Sequence, residues 1–238
     1  MDAKERLIVA LDVDTKEEVE YLVQELKDDI GMFKVGLQLY TSMGNEIISF
    51  IKGLGGRIFL DLKLHDIPNT VSETVRVLTK QGVDMLNVHS QGGGEMMRLA
   101  KETSMKTAEE LGIKPPLLIA VTILTSLGDT ETREIGYVKT PQEMVVHLGK
   151  LTQESGLDGV VCSPLEAGLI RESCGDSFIT VTPGVRPMGE DIGDQKRITT
   201  PGKAIAGGST YIVVGRPITK AKDVKAAARA IVDEMRNL

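Results

Sequence analysis

Arg57-Ile58-Phe59-Leu60-Asp61-Leu62-Lys63-Leu64-His65-Asp66-Ile67-Pro68-Asn69-Thr70 is the stretch on which the reading of the fold turns. It follows a Gly-Gly turn at Gly55-Gly56 and begins with apolar, branched residues, the pattern of a strand. Strand side chains alternate between two faces. Leu60, Leu62 and Leu64 therefore share one face, while Phe59, Asp61 and Lys63 share the other. Two opposite charges then point the same way from an otherwise buried strand. A buried charge is costly unless it is paired, so this face is expected to open onto a polar cavity. Asp66 and Pro68 follow where strand gives way to helix. An internal Asp61–Lys63 ion pair, with Asp66 as a helix-start signal, would account for an isolated D-x-K.

Outward from this stretch the chain alternates between two textures. Short branched runs read as strands at 7–12, 32–38, 57–64, 85–90, 117–124, 159–163, 178–182 and 211–215. Helical stretches of mixed charge lie between them at 16–28, 45–54, 69–81, 95–111, 141–154, 165–172, 201–206 and 223–236. Nearly all-apolar strands alternating with helices imply a parallel sheet covered on its outer face. Eight such units at this length match a closed (β/α)8 TIM barrel. An open doubly wound sheet usually carries a Gly-rich turn after its first strand, and Val9-Ala10-Leu11-Asp12-Val13-Asp14-Thr15 has no glycine. No linker or repeat divides the chain, so a single domain over 1–238 is expected.

Catalytic groups of such a barrel gather at the C-terminal ends of its strands. Those ends carry Asp12, Lys34, Asp61 with Lys63, Asn87-Val88-His89-Ser90, Thr125-Ser126, Thr182-Pro183-Gly184-Val185-Arg186 and Gly215-Arg216. Taken singly, Asp12 reads as a helix cap, although Asp14 and Thr15 are better placed. Lys34 reads as a side chain snorkelling from a strand end, and His89 as a hydrogen-bonded histidine. The loops after strands seven and eight form the usual phosphate site of this fold. There Gly215 permits close backbone approach to an anion and Arg216 adds a forked cationic donor. The polar, glycine-rich loop 186–197 suits a lid over a ligand.

Composition narrows the partners. Charged residues are 26% and apolar residues 41%, an ordinary globular balance. The formal charge of −6 comes without a basic block, which argues against nucleic acid. The N-terminal residues enter a strand pattern without the apolar core of a signal peptide, and no apolar run is long enough to span a bilayer, so a cytoplasmic location without membrane contact is expected. Cys162 and Cys174 fit no metal or redox motif, and no HxH, HExxH or cysteine cluster points to a metal.

Asp61-Leu62-Lys63-Leu64-His65-Asp66-Ile67-Pro68-Asn69-Thr70 resembles the D-x-K-x-x-D-I-P-N-T signature of the orotidine 5′-phosphate decarboxylases. The resemblance extends along the chain. Ala10-Leu11-Asp12, Phe33-Lys34-Val35-Gly36, Leu124-Thr125-Ser126, Thr182-Pro183-Gly184-Val185-Arg186, Gln195 and Val214-Gly215-Arg216-Pro217 are each similar to the family's bacterial form. Magnesium-dependent sugar-phosphate decarboxylases of the same superfamily share D-x-K-x-x-D, but Ile67-Pro68-Asn69-Thr70 and Gly184-Val185-Arg186-Pro187 favour the orotidylate branch. A barrel that only binds a phosphorylated ligand is the remaining alternative. It would not need the Asp61–Lys63 pair.

The resemblance implies decarboxylation of orotidine 5′-monophosphate without metal or cofactor. It implies Lys63 as proton donor and Asp61 beside the substrate carboxylate. Lys34 and Asp12 would meet the ribose hydroxyls, and Thr125 the pyrimidine. Gln195, Gly215 and Arg216 would hold the phosphate, with Arg186 helping to close the loop. Asp66, Ile67 and Thr70 would reach into a second subunit, giving a homodimer with shared active sites. The order Lys34, Asp61, Lys63, Asp66 alternates in sign, so each group is expected to be kept ionised by an opposite neighbour.

Overall fold

Eight parallel strands pair in chain order and close into a barrel. A computed structural model of the chain describes residues 1–187 and 199–236. In chain order its strands are β1 (Leu7–Ala10), β2 (Met32–Gly36), β3 (Ile58–Leu64), β4 (Met85–His89), β5 (Leu117–Val121), β6 (Gly159–Val161), β7 (Ile179–Thr182) and β8 (Tyr211–Val214). Each pairs in parallel with the next, and β8 pairs with β1 to complete the barrel. The (β/α)8 expectation holds.

Odd and even positions of the strands enter different cores. Ile8, Ala10, Met32, Phe59, Met85, Ile119, Val181, Tyr211 and Val213 point inward and fill the barrel. Their neighbours Leu7, Val9, Phe33, Val35, Ile58, Leu60, Leu86 and Val88 point outward and pack beneath the helices. Full burial of such a side chain stabilises by about 1.5–3 kcal/mol. The helix Pro68–Lys80 shows the complementary pattern, burying Val71, Val75 and Leu78 on one stripe.

The eight expected helices are present with ends shifted by up to a few residues, among them Lys16–Leu26, Glu46–Gly53, Gly93–Leu111 and Val224–Arg236. Among the described residues three further α-helices were not anticipated: Leu37–Met43, Asp129–Glu134 and Arg216–Thr219. The run expected as one strand over 32–38 stops at Gly36, and Leu37 opens a helix. The first barrel helix is capped by Thr15, whose hydroxyl accepts from the Glu18 N–H while the Glu18 carboxylate accepts from the Thr15 N–H. Asp12 is thereby released from any capping duty. Among the described residues no helix is long and apolar enough to cross a membrane.

Candidate active site

A cavity of about 320 Å³ lies at the C-terminal mouth of the barrel. Asp12, Lys34, Asp61 and Lys63 line one side, Thr125 another, and Arg186, Gly215 and Arg216 the third. Lys34, Asp61 and Lys63 lie on β2 and β3, while Asp12, Thr125, Arg186, Gly215 and Arg216 lie just beyond the C-terminal ends of β1, β5, β7 and β8. As expected of a strand face bearing two charges, the Asp61–Lys63 face opens onto a cavity with both polar and apolar walls.

The charged groups form a row. The Lys34 ammonium stands 3.4 Å from Asp12 Oδ1 and 3.6 Å from Asp61 Oδ2. The Lys63 ammonium donates to Asp61 Oδ1 at 2.7 Å. Lys34 therefore does not snorkel; its side chain is 13% exposed and turns into the mouth between two carboxylates. Burial by itself pushes the Asp61 carboxyl upward. The charges of Lys34 and Lys63, with hydrogen bonds from Lys63 and Asn87, outweigh burial and hold it below the usual carboxylate range. Asp61 is thus an anion fixed between two cations.

The way Lys63 reaches this position departs from a simple pleat. Leu60 pairs with Leu86 and Leu64 with Val88, so β3 spends four steps where β4 spends two. The surplus is a bulge, and within it Lys63 has φ of 54°, the one described non-glycine residue at positive φ. Bulges re-aim side chains. A left-handed backbone is disfavoured for a residue bearing a Cβ, so neighbouring contacts must hold it. Asn87 does this from β4: its Oδ1 accepts the Lys63 N–H at 2.8 Å and its Nδ2 donates to Asp61 Oδ1 at 2.6 Å.

Other expected residues fall into three groups. Thr125, Arg186, Gly215 and Arg216 line the cavity as anticipated, Gly215 and Arg216 at the start of the short helix after β8. Asp66, Ile67 and Thr70 do not line it; all three are exposed on the outside of the mouth. Asp66 does not cap the following helix either, since Ile67 is its N-cap and the Asp66 carboxylate takes the Ile67 N–H at 2.7 Å. Gln195 and most of the loop expected as a lid lie outside the described residues. The ends of that loop are joined by a bridge between Val185 and Thr199.

Three features escaped the sequence. Asn87 is fully buried, and a lone asparagine in an apolar strand carries no signal of its partner. Gly36 leaves space for Lys34: a Cβ there would stand 2.8 Å from the Lys34 ammonium. His89 is stacked on His65 with ring centroids 5.3 Å apart. Its Nδ1 is buried without a hydrogen-bond partner among the described residues, contrary to the expectation of a satisfied histidine. Burial, then the proximity of His65 and Lys63, pushes the His89 pKa down to about 4. Among the described residues no group of three or more His, Cys, Asp or Glu side chains is placed to hold a metal ion.

The chain as a whole is similar to known proteins. The sequence profile of the Orotidine 5′-phosphate decarboxylase / HUMPS family matches residues 5–231. A protein of Moorella thermoacetica named orotidine 5′-phosphate decarboxylase is 50% identical over 99% of this chain and 94% of its own length. A protein of the same name from Bacillus cytotoxicus is 51% identical over 91% of each chain. The crystal structure of orotidine 5′-phosphate decarboxylase from Lactobacillus acidophilus superposes with a TM-score of 0.85 at 41% identity, covering 98% of this chain and 99% of that one. With the profile spanning nearly the whole barrel and the charged row in place at its mouth, this chain belongs to the orotidine 5′-phosphate decarboxylase / HUMPS family.

Proposed function

We propose that this chain converts orotidine 5′-monophosphate to uridine 5′-monophosphate and carbon dioxide, the closing step of pyrimidine nucleotide synthesis. The observation that carries this reading is the row Asp12, Lys34, Asp61, Lys63 in the same cavity as Arg186 and Arg216. A phosphate at the β7–β8 side would leave the pyrimidine beside Asp61 and Lys63, with the ribose near Asp12 and Lys34. Thr125 would contact the ring, and Gln195, Gly215 and Arg216 the phosphate.

The chemistry follows from where the electrons go. Breaking the bond from the ring carbon to the carboxylate leaves an electron pair in an orbital in the plane of the pyrimidine. The ring π-system cannot delocalise it. The Lys63 ammonium, aimed by Asp61 and by its own bulged backbone, stabilises that pair as carbon dioxide leaves. It then gives a proton to the carbon, leaving a neutral amine that water reprotonates. Fixed charges acting in a cavity shielded from water are stronger than in solution and need no rearrangement during the reaction. Asp61 both positions Lys63 and faces the departing carboxylate.

The exposure of Asp66, Ile67 and Thr70 supports a homodimer in which each chain lends these residues to its partner's cavity. That donation would complete the alternation of charge. The reading further takes the chain as one catalytic domain working in the cytoplasm. A spectrophotometric assay with orotidylate, with and without chelator, tests it. Turnover that survives chelator is the expected result. Turnover of a sugar phosphate lost with chelator would establish the magnesium-dependent alternative, and binding without turnover a non-catalytic barrel.

A further inference from the structure

We propose that Asn87 is a positioning residue for the proton donor, setting the direction of the Lys63 ammonium through one amide bridge; this rests on the decarboxylase reading above. The amide orientation is fixed by its two partners. A backbone N–H can only donate, so the oxygen of Asn87 must face Lys63. An ionised carboxylate can only accept, so the nitrogen must face Asp61. Both bonds are short, 2.8 Å and 2.6 Å, and Asn87 is fully buried on the inward face of β4.

The bridge spans the two residues whose separation matters. Asp61 Oδ1 receives the Lys63 ammonium and the Asn87 amide together, and the same side chain holds the Lys63 backbone inside the bulge at φ of 54°. A β3 strand without the bulge would pair every residue with β4 and send Lys63 along a different direction. Asn87 thus links the direction of the ammonium to the anion that orients it, without lining the cavity itself. Aspartate cannot substitute: of the same size, it keeps the acceptor for the Lys63 N–H but sets an oxygen against Asp61 Oδ1. Alanine leaves a buried N–H unpaired and the left-handed residue unsupported.

The test measures kcat for orotidylate and the affinity for uridylate in Asn87→Ala and Asn87→Asp, well below their melting temperatures. Loss of a hydrogen bond to a charged group predicts a fall in kcat of about tenfold to a hundredfold for alanine. The fall for aspartate is larger, and uridylate affinity stays within about threefold in both. A kcat kept within about threefold in both variants overturns the proposal, as does a loss confined to uridylate affinity. If alanine does not fold, the isosteric aspartate variant carries the same comparison. Should the wild-type chain not turn over orotidylate, the decarboxylase reading fails, and the bridge is judged by crystal structures of the variants. Lys63 leaving the left-handed region upholds it; an unchanged φ and an unchanged Lys63–Asp61 distance overturn it.

Discussion

Asp61 and Asp66 belong to one continuous motif and meet opposite surroundings. Asp61 has both oxygens engaged, by Lys34, Lys63 and Asn87, and its side chain is 13% exposed. Asp66 is exposed, and its carboxylate accepts from the N–H of Ile67, itself 67% exposed. The first acid is held by three elements of its own barrel. The second is displayed outward, next to an apolar side chain that water covers poorly. Hence the motif supplies two places: strand β3 builds a cavity inside one barrel, and the segment after it builds a surface. Within one chain, Asp61 meets its charged partners and Asp66 faces solvent.

The change expected to cost most falls on the inner half. On the proposed mechanism Lys63→Ala removes both the general acid and the cation facing the developing carbanion, and should lower kcat by about 10⁴-fold or more. Uridylate binding should survive; a variant that retains turnover within tenfold by rough reckoning would dissociate Lys63 from the chemistry. The outer half is probed next. Asp66→Ala should lower kcat on the order of 10²–10³-fold, yet mixing it with Lys63→Ala should restore activity. In a dimer with shared sites, random exchange gives about one intact site in four. Mixed subunits that stay inactive after proven exchange would break the comparison, placing Asp66 back in its own barrel.

The two halves also differ in how far the sequence disclosed them. Faces of β3 were legible because alternation has a period of two and Leu60, Leu62 and Leu64 leave no other register. The closed barrel followed from eight such strands. The row of Asp12, Lys34, Asp61 and Lys63 was legible as charges at strand ends, although each alone had an ordinary explanation. The bulge was not legible. Nothing marks Lys63 as left-handed, since glycine, the residue that signals such a backbone, is absent there. The role of Asn87 depends on that bulge and was hidden with it. The break after Gly36 was missed for a similar reason: Leu37-Gln38-Leu39-Tyr40 continues the apolar texture while the backbone changes from strand to helix. The outward display of Asp66 could be named only from family resemblance, because a strand pattern says nothing of a second chain.

A smaller effect separates the inner row from the phosphate side of the same mouth. Arg216 lines the same cavity as Asp61 and Lys63 from the β8 side, away from the bond that breaks in the proposed reaction. Binding energy from such a remote contact can be used to assemble the charged site. Arg216→Ala should lower turnover of the nucleotide by about tenfold to a hundredfold, the equivalent of one charge-assisted hydrogen bond. A nucleoside lacking the phosphate should be turned over equally by both enzymes. Equal losses on the two substrates would move Arg216 from the phosphate to the inner row.

The joint between the halves yields the smallest effect, read in stability. His65 lies between Lys63 and Asp66, and its ring rests on His89. Burial and nearby positive charge keep His89 neutral down to about pH 4, below its ordinary value of 6.5. The unfolded chain therefore takes up a proton first as pH falls. Stability contributed by the neutral ring is whole above pH 6.5 and is drawn down as pH falls toward 4. Thermal unfolding followed across that interval should show the wild-type melting temperature falling more steeply than that of His89→Gln, which cannot titrate. His65 and His147 are present in both proteins, so the difference in slope isolates His89. Parallel slopes would mean that His89 is protonated alike in both states, and that the stack does not tie the buried row to the exposed segment.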